Sequence, residues 1–479
     1  MWVTEPRRKR HDLSTVRAAV AAGHPATVDA GIEVLADGGS AADAAVAACL
    51  ASCVAETVMT GLLGGGHAIY LDADSGRARN LDCFVAVPGL GDERREAVEL
   101  LELDVPFGTE LVHYAVGIAS CGVPGLPAGL AALHEEYGRL PWARLVEPAL
   151  RLARNGVDFP PAHAACLEML APVMTMNEGS RIYAPGGLLL QAGELLEQPG
   201  LANVLEVVGS EGVRSFYEGS LADALLALMD ERGGLVTGAD LRAYRARWKE
   251  PVEVRYADCR FLTRSGLSRL PETLPRLPPL RGMRPVERAL ALVRTLEAQS
   301  ADGHTTNLVT ADADGNACVL TTSLGLGSGD FLPGLDLHLN SMLGESELIR
   351  GRLEAGDRMG SMMAPSLAMD GDGLLALAAG AAGGTRLLSA LTQVAAGILD
   401  EGLEPYEAVS RPRLHPARGL VHLEPGFDDD VPEALEEAGF RVRAWPAQHH
   451  YFGGVSVLTR YGAAGDPRRS GTAAVPSSP

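Results

Sequence analysis

His304-Thr-Thr-Asn-Leu-Val-Thr-Ala-Asp-Ala-Asp-Gly-Asn-Ala-Cys-Val-Leu-Thr-Thr-Ser323 decides the fold. Two β-forming runs, Thr306–Ala311 and Cys318–Thr322, flank the turn formers Asp312 to Asn316, so the segment predicts a β-hairpin. The turn begins like a calcium loop. However, Ala317 stands where glycine is required and Ser323 where glutamate is required, so a plain turn is the better assignment. The same pattern recurs outward on both sides. His67–Leu71 and Arg79–Val87 flank Asp72 to Gly76, and Ser366–Met369 and Leu374–Ala379 flank Asp370 to Gly373.

Helical signals lie between the hairpins. Residues 25–37 run to Gly38-Gly39, Ser40 caps Ala41–Ala55, and residues 126–171 break at Gly138–Pro141. Further helices are expected at 219–231, after the cap pair Thr237 and Asp240, and from Gly383-Gly384 to about residue 400. Residues 251–262 read as a strand. Arg260–Leu280, with four prolines, reads as a long surface connection, and Ala463–Pro479 as a frayed tail. Strand pairs feeding glycine-led helices predict an α+β fold of antiparallel sheets covered by helices.

Composition narrows the function. The 479 residues are 47% apolar, enough for a sizeable core, and the net charge of −20 argues against nucleic-acid or anionic-membrane partners. Seven scattered cysteines, an odd number, fit reduced core thiols better than a disulfide framework. The basic start meets His11, Asp12 and Ser14 with no apolar run behind it, so no secretion signal is read and the cytoplasm is expected. The most apolar helical stretch is bounded by Asp43 and Glu56, too short to span a bilayer.

Familiar enzyme motifs are missing. Gly325-Leu-Gly-Ser-Gly329 is followed by Phe331-Leu-Pro-Gly334 and not by a helix start, which disfavours a dinucleotide site. No G-x-S-x-G elbow occurs, and no Cys/His spacing suits zinc. His449 and His450 read as a solvated loop. No metal and no cofactor are expected. What remains is Thr305 at a strand start, Ser323 at the far end of the same hairpin, and Gly383-Gly384, whose N–H groups at a helix start could hold an oxyanion.

These residues, in order with Gly31 to Val46, Gly64-Gly-Gly66, Gly122-Val-Pro-Gly125, Tyr137 to Trp142, Phe216-Tyr-Glu-Gly219, Ser361-Met-Met-Ala-Pro365, Gly383-Gly-Thr-Arg386, Arg411 to His415 and Asp466-Pro-Arg468, carry a resemblance. From about residue 16 to 470 the chain resembles the γ-glutamyltransferase (glutathione hydrolase) family of N-terminal-nucleophile hydrolases. The resemblance implies one four-layer α/β/β/α sandwich, made as a single precursor and cut at His304–Thr305 into a 1–304 and a 305–479 segment that stay associated. Thr305 would be the nucleophile, with Thr306 the next candidate. Its freed α-amino group, of pKa about 7.7–8.0, suits a general base. Gly383 and Gly384 would steady the oxyanion, and Ser323 would take the place of a supporting hydroxyl. The implied partners are a small-molecule amide and water or an amine acceptor.

Departures from the family pattern concern substrate recognition. Phe84 stands where relatives carry an arginine that clamps the glutamyl α-carboxylate, a loss of charged hydrogen bonds worth about 1.5–3 kcal/mol each. Gly325 replaces an asparagine, Met362 replaces the second serine beside Ser361, and the acidic residue expected after Leu339-Asn340 is displaced to Glu345 or Glu347. Asn307 replaces a histidine. The expectation is an altered glutamyl site. The alternatives are an acylase acting on another amide, or an unprocessed, non-catalytic homologue serving as a binding or scaffold protein.

Overall fold

A computed structural model of the chain describes residues 18–476 apart from 92–94, 96–97, 108–109, 298–304, 350 and 385. The hairpin Thr306–Ala311/Ala317–Ser323 forms in register, Thr306 opposite Thr322. It lies inside a seven-stranded antiparallel sheet. Across that sheet the order is Thr472–Ala474, Ala19–Ala22, Thr306–Ala311, Ala317–Ser323, Gly65–Asp72, Arg77–Cys83 and Arg247–Lys249. A six-stranded antiparallel sheet faces it, ordered Gly462–Ala464, Gly454–Thr459, Leu375–Ala382, Ser366–Met369, Cys259–Thr263 and Val252–Tyr256.

Strand alternation sorts the side chains into layers. Val309, Val319 and Ile69 meet Leu367, Ala378 and Leu458 between the sheets. Leu308 and Leu320 face the other way, into a core built on helices Pro25–Ala36 and Ala41–Ala55. Ala41–Ala55 is buried along its whole length, and its small side chains let it lie close to the sheet. Helices Pro285–Leu296 and Arg386–Leu399 cover the outer face of the second sheet. The layers run helix, sheet, sheet, helix.

The turn at Asp312 is a structural knot and not an ion loop. Its carboxylate accepts bonds from the N–H groups of Asp314 and Asn316, the Asn316 amide and the N–H of Ala41 at the start of the buried helix. Ser40 and Asp43 form the capping box expected there, and Thr237 with Asp240 form another. All seven cysteines are buried and unpaired.

Six local expectations are corrected. Residues 251–262 hold a hairpin instead of one strand, because Ala257 and Asp258 both take positive φ and make the turn without glycine. The returning strand after Gly76 stops at Cys83. The stretch 126–171 breaks a second time, at the short strand Val157–Asp158. The Pro-rich connection is packed, with Leu270, Leu274, Leu277 and Leu280 in the second core. The tail adds the edge strand Thr472–Ala474 beside Ala19–Ala22, and His450 is buried in a 3-10 turn whose neighbour His449 packs on Trp445.

Candidate active site

Thr305 immediately precedes Thr306–Ala311, an inner strand of the seven-stranded sheet. It is 4% exposed and lines a cleft with Ser323, Gly384, Phe84, Glu345, Ser361 and Met362. Thus seven of the positions singled out in the sequence, scattered from residue 84 to 384, share one cavity. His304 lies outside the described residues.

Each wall has a local cause. Ser323 ends the strand paired with the one Thr305 precedes, and its Oγ accepts the Gly325 N–H at 2.8 Å. Gly383 and Gly384 precede helix Arg386–Leu399, and their carbonyls accept the Arg386 and Leu387 N–H groups. Gly383, at φ 124°, admits no side chain, because a Cβ would fall 2.8 Å from the Gly453 Cα. Gly384 borders the cleft, whereas Gly383 is not among its walls.

The rest of the cavity is apolar. Phe84, Met342, Leu348, Met362 and Met363 form one buried cluster that reaches the cleft. Phe84 stacks on His67 with ring centroids 5.4 Å apart, and its carbonyl accepts the Tyr244 hydroxyl at 2.6 Å. Behind it, Asp82 is paired with Lys249 at 2.7 Å. Among the described cleft walls there is no arginine or lysine. Arg264, nearby, donates instead to the backbone carbonyls of Ser361 and Met363, holding that segment in place.

Besides Ser361, Glu345 is the polar exception to this lining. It is buried and its Oε1 has no hydrogen-bond partner. Burial, with Glu347 nearby, pushes its carboxyl up to about 8, so at neutral pH it is largely a neutral acid. Gly325, at φ 72°, does not wall the cleft. It leaves the space that Glu345 fills, since a Cβ there would sit 2.2 Å from Oε1. Glu347 is half-buried and not a wall.

Two features escaped the sequence. Met342, Leu348 and Met363 join the lining from a loop with no periodic pattern. Thr306, adjacent to Thr305 and alike in sequence, points to the opposite face, where its hydroxyl donates to Glu56 at 2.5 Å. The signal for Glu56 was present: it is the C-cap of helix Ala41–Ala55, a carboxylate closing the apolar stretch that runs from Asp43.

This architecture is the α/β/β/α sandwich of N-terminal-nucleophile hydrolases. A cephalosporin acylase from Bacillus halodurans superposes with a TM-score of 0.80 over 99% of both chains at 23% identity, which speaks to fold. The γ-glutamyltranspeptidase family model matches residues 27–271 and 283–476. The chain is 28% identical to an acylase ACY 1 proenzyme of Pseudomonas sp. (strain SE83), covering 91% of this chain and 88% of that protein. It is 27% identical to the glutathione hydrolase proenzyme of Pseudomonas aeruginosa, covering 80% of each. The chain belongs to the γ-glutamyltranspeptidase family, whose members are hydrolases and acyltransferases.

Proposed function

We propose that the chain is a self-processing N-terminal-threonine amidohydrolase or acyltransferase whose acyl substrate is apolar and not γ-glutamyl. The observation that carries this is the shared cleft of Thr305, Ser323 and Gly384, walled by Phe84 and methionines. Cleavage of His304–Thr305 frees an α-amino group beside the hydroxyl. The amine takes the Oγ proton as Oγ bonds to the substrate carbonyl carbon, and the Gly384 N–H stabilises the oxyanion. The C–N bond breaks, the leaving amine takes the proton, and an ester on Thr305 remains. Water, or an amine acceptor, then gives its proton to the α-amine as it bonds to the ester carbon, and the α-ammonium passes that proton to the departing Thr305 Oγ, releasing acid or a new amide.

The acyl pocket sets the preference. A glutamyl α-carboxylate needs a charged donor, and the described walls supply none; burying it unpaired costs several kcal/mol. An aryl or alkyl acyl group instead covers Phe84 and the methionines, at roughly 25 cal/mol per Å² of apolar surface removed from water. Two homologues named as acylase and glutathione hydrolase span these choices, and the replacement at Phe84 favours the acylase side.

The mass of the purified protein tests the first half: a fragment beginning at Thr305 is expected, and Thr305→Ala should stay whole and inert. A single full-length species after long incubation would instead support a non-catalytic binding protein. For the second half, phenylacetyl-p-nitroanilide should be hydrolysed at least about tenfold faster than γ-glutamyl-p-nitroanilide, the equivalent of one lost charged hydrogen bond. The reverse order defeats the assignment of Phe84.

A further inference from the structure

The cleft explains the face that Thr305 presents, but not what holds Thr305 there once it becomes a chain end. A new N-terminal residue is tethered by one peptide bond, and unanchored termini fray. The next residue is anchored unusually firmly. Thr306 is paired with Thr322 across the hairpin, and its hydroxyl donates to Oε2 of Glu56 at 2.5 Å. The other oxygen, Oε1, accepts the Thr27 hydroxyl at 2.7 Å. Thr322 is itself held by a 2.8 Å hydroxyl contact with Thr60.

Glu56 therefore ties three elements to one point. Its backbone N–H donates to Ser52 at the end of helix Ala41–Ala55, and its carbonyl accepts Met59 and Thr60. Its side chain reaches the first turn of helix Pro25–Ala36 through Thr27 and the head of the central strand through Thr306. The turn at Gly23 leaves room for it: a Cβ there would lie 2.5 Å from Oε2. Burying a carboxylate among apolar helices is costly unless its oxygens are bonded, and both are. Burial raises this carboxyl to about 6, while Thr306, Thr27 and the buried Arg469 oppose the rise, so it stays mostly ionised at neutral pH.

We propose that Glu56 is a positioning residue for the nucleophile: it locks the Thr306 side chain on the helix-facing side of the strand and so holds Thr305 turned into the cleft. Strand alternation makes the lock directional, because a residue fixed on one face obliges its neighbour to take the other. This inference rests on Thr305 being the nucleophile. It adds that Thr306, although one residue away and chemically equivalent, acts only through its bond to Glu56.

The test compares two buried threonines on one strand and one face. Thr306→Val removes the hydroxyl that meets Glu56. Thr310→Val removes a hydroxyl that donates to the Ala41 carbonyl at 2.7 Å, away from the cleft. Self-cleavage rate, kcat and KM for phenylacetyl-p-nitroanilide per cleaved chain, and Tm are measured for each. Thr306→Val should lower the cleavage rate and kcat by about tenfold to a hundredfold with KM little changed, the scale expected for a nucleophile displaced by up to 1 Å. Thr306→Ser, which keeps the hydroxyl, should recover most of the loss, and Glu56→Gln should lower kcat as Thr306→Val does. Thr310→Val should lower Tm alone. Equal effects of the two valine variants on Tm with wild-type kcat in both would overturn the role of Glu56, as would a Thr306→Ser no better than valine. Activity surviving in Thr305→Ala would instead defeat the nucleophile assignment itself, so the two failures are distinguishable.

Discussion

At the scale of single residues, the cleft is governed by the substitution of charge by apolar surface and by one acid left without a partner. Glu345 gives this a measurable consequence. The unfolded chain loses that proton near the ordinary 4.5, whereas the folded protein loses it near 8. The folded state therefore binds the extra proton between those values, and the stability this confers is complete below about 4.5 and lost as pH rises through 8. Glu345→Gln removes the titration. The variant should show a Tm that falls less than the wild type's between pH 6 and 9, and its kcat/KM for an apolar acyl anilide should lose an alkaline limb near 8. An unchanged limb in the variant would assign it to another group, and not to the Thr305 amine, whose work as a base makes the rate rise with pH through its pKa. Phe84 could be read from sequence only by resemblance; its meaning as a wall came from the company of Met342, Leu348 and Met363, which no local pattern announces.

At the scale of elements, the hairpins were legible because turn formers and alternating strands are local signals, and the central one is right to within a residue at each end. Elements whose cause is tertiary were not. The packed leucines of 270–280 are hidden among prolines that locally mean a loop, and the turn at Ala257-Asp258 is made by residues that seldom take positive φ. The tail forms a strand only because Ala19–Ala22 offers it an edge. Asp312 shows how a turn can serve beyond its own hairpin. It is 2% exposed and binds four donors, one of them the N–H of Ala41 on another element. Asp312→Ala strands those donors, three of them in buried bonds, and should destabilise the fold by about 2–4 kcal/mol, read as a lower urea midpoint at unchanged slope. Asp312→Asn should lose less, since an amide oxygen still serves some of them. A calcium dependence of the midpoint would speak for the loop reading that Ala317 and Ser323 argue against.

At the scale of the whole molecule, the order of strands decides what cleavage between 304 and 305 can do. In the seven-stranded sheet the strand Ala19–Ala22, from before the cut, lies between Thr472–Ala474 and Thr306–Ala311, both from after it. Ala317–Ser323 then pairs with Gly65–Asp72, crossing back to the first segment. In the facing sheet Cys259–Thr263 pairs with Ser366–Met369 across the same divide. The segments thus share two sheets and the core between them, and separating them means breaking backbone ladders and exposing a buried apolar interior. Cut and uncut protein should elute together from a sizing column in native buffer, the two fragments in equal number. Stepwise urea should release the fragments only at the midpoint where far-UV dichroism is lost. Release of the 305–479 fragment well below that midpoint, with the sheet signal intact, would mean that the interleaved strands are not what holds the cleaved enzyme together.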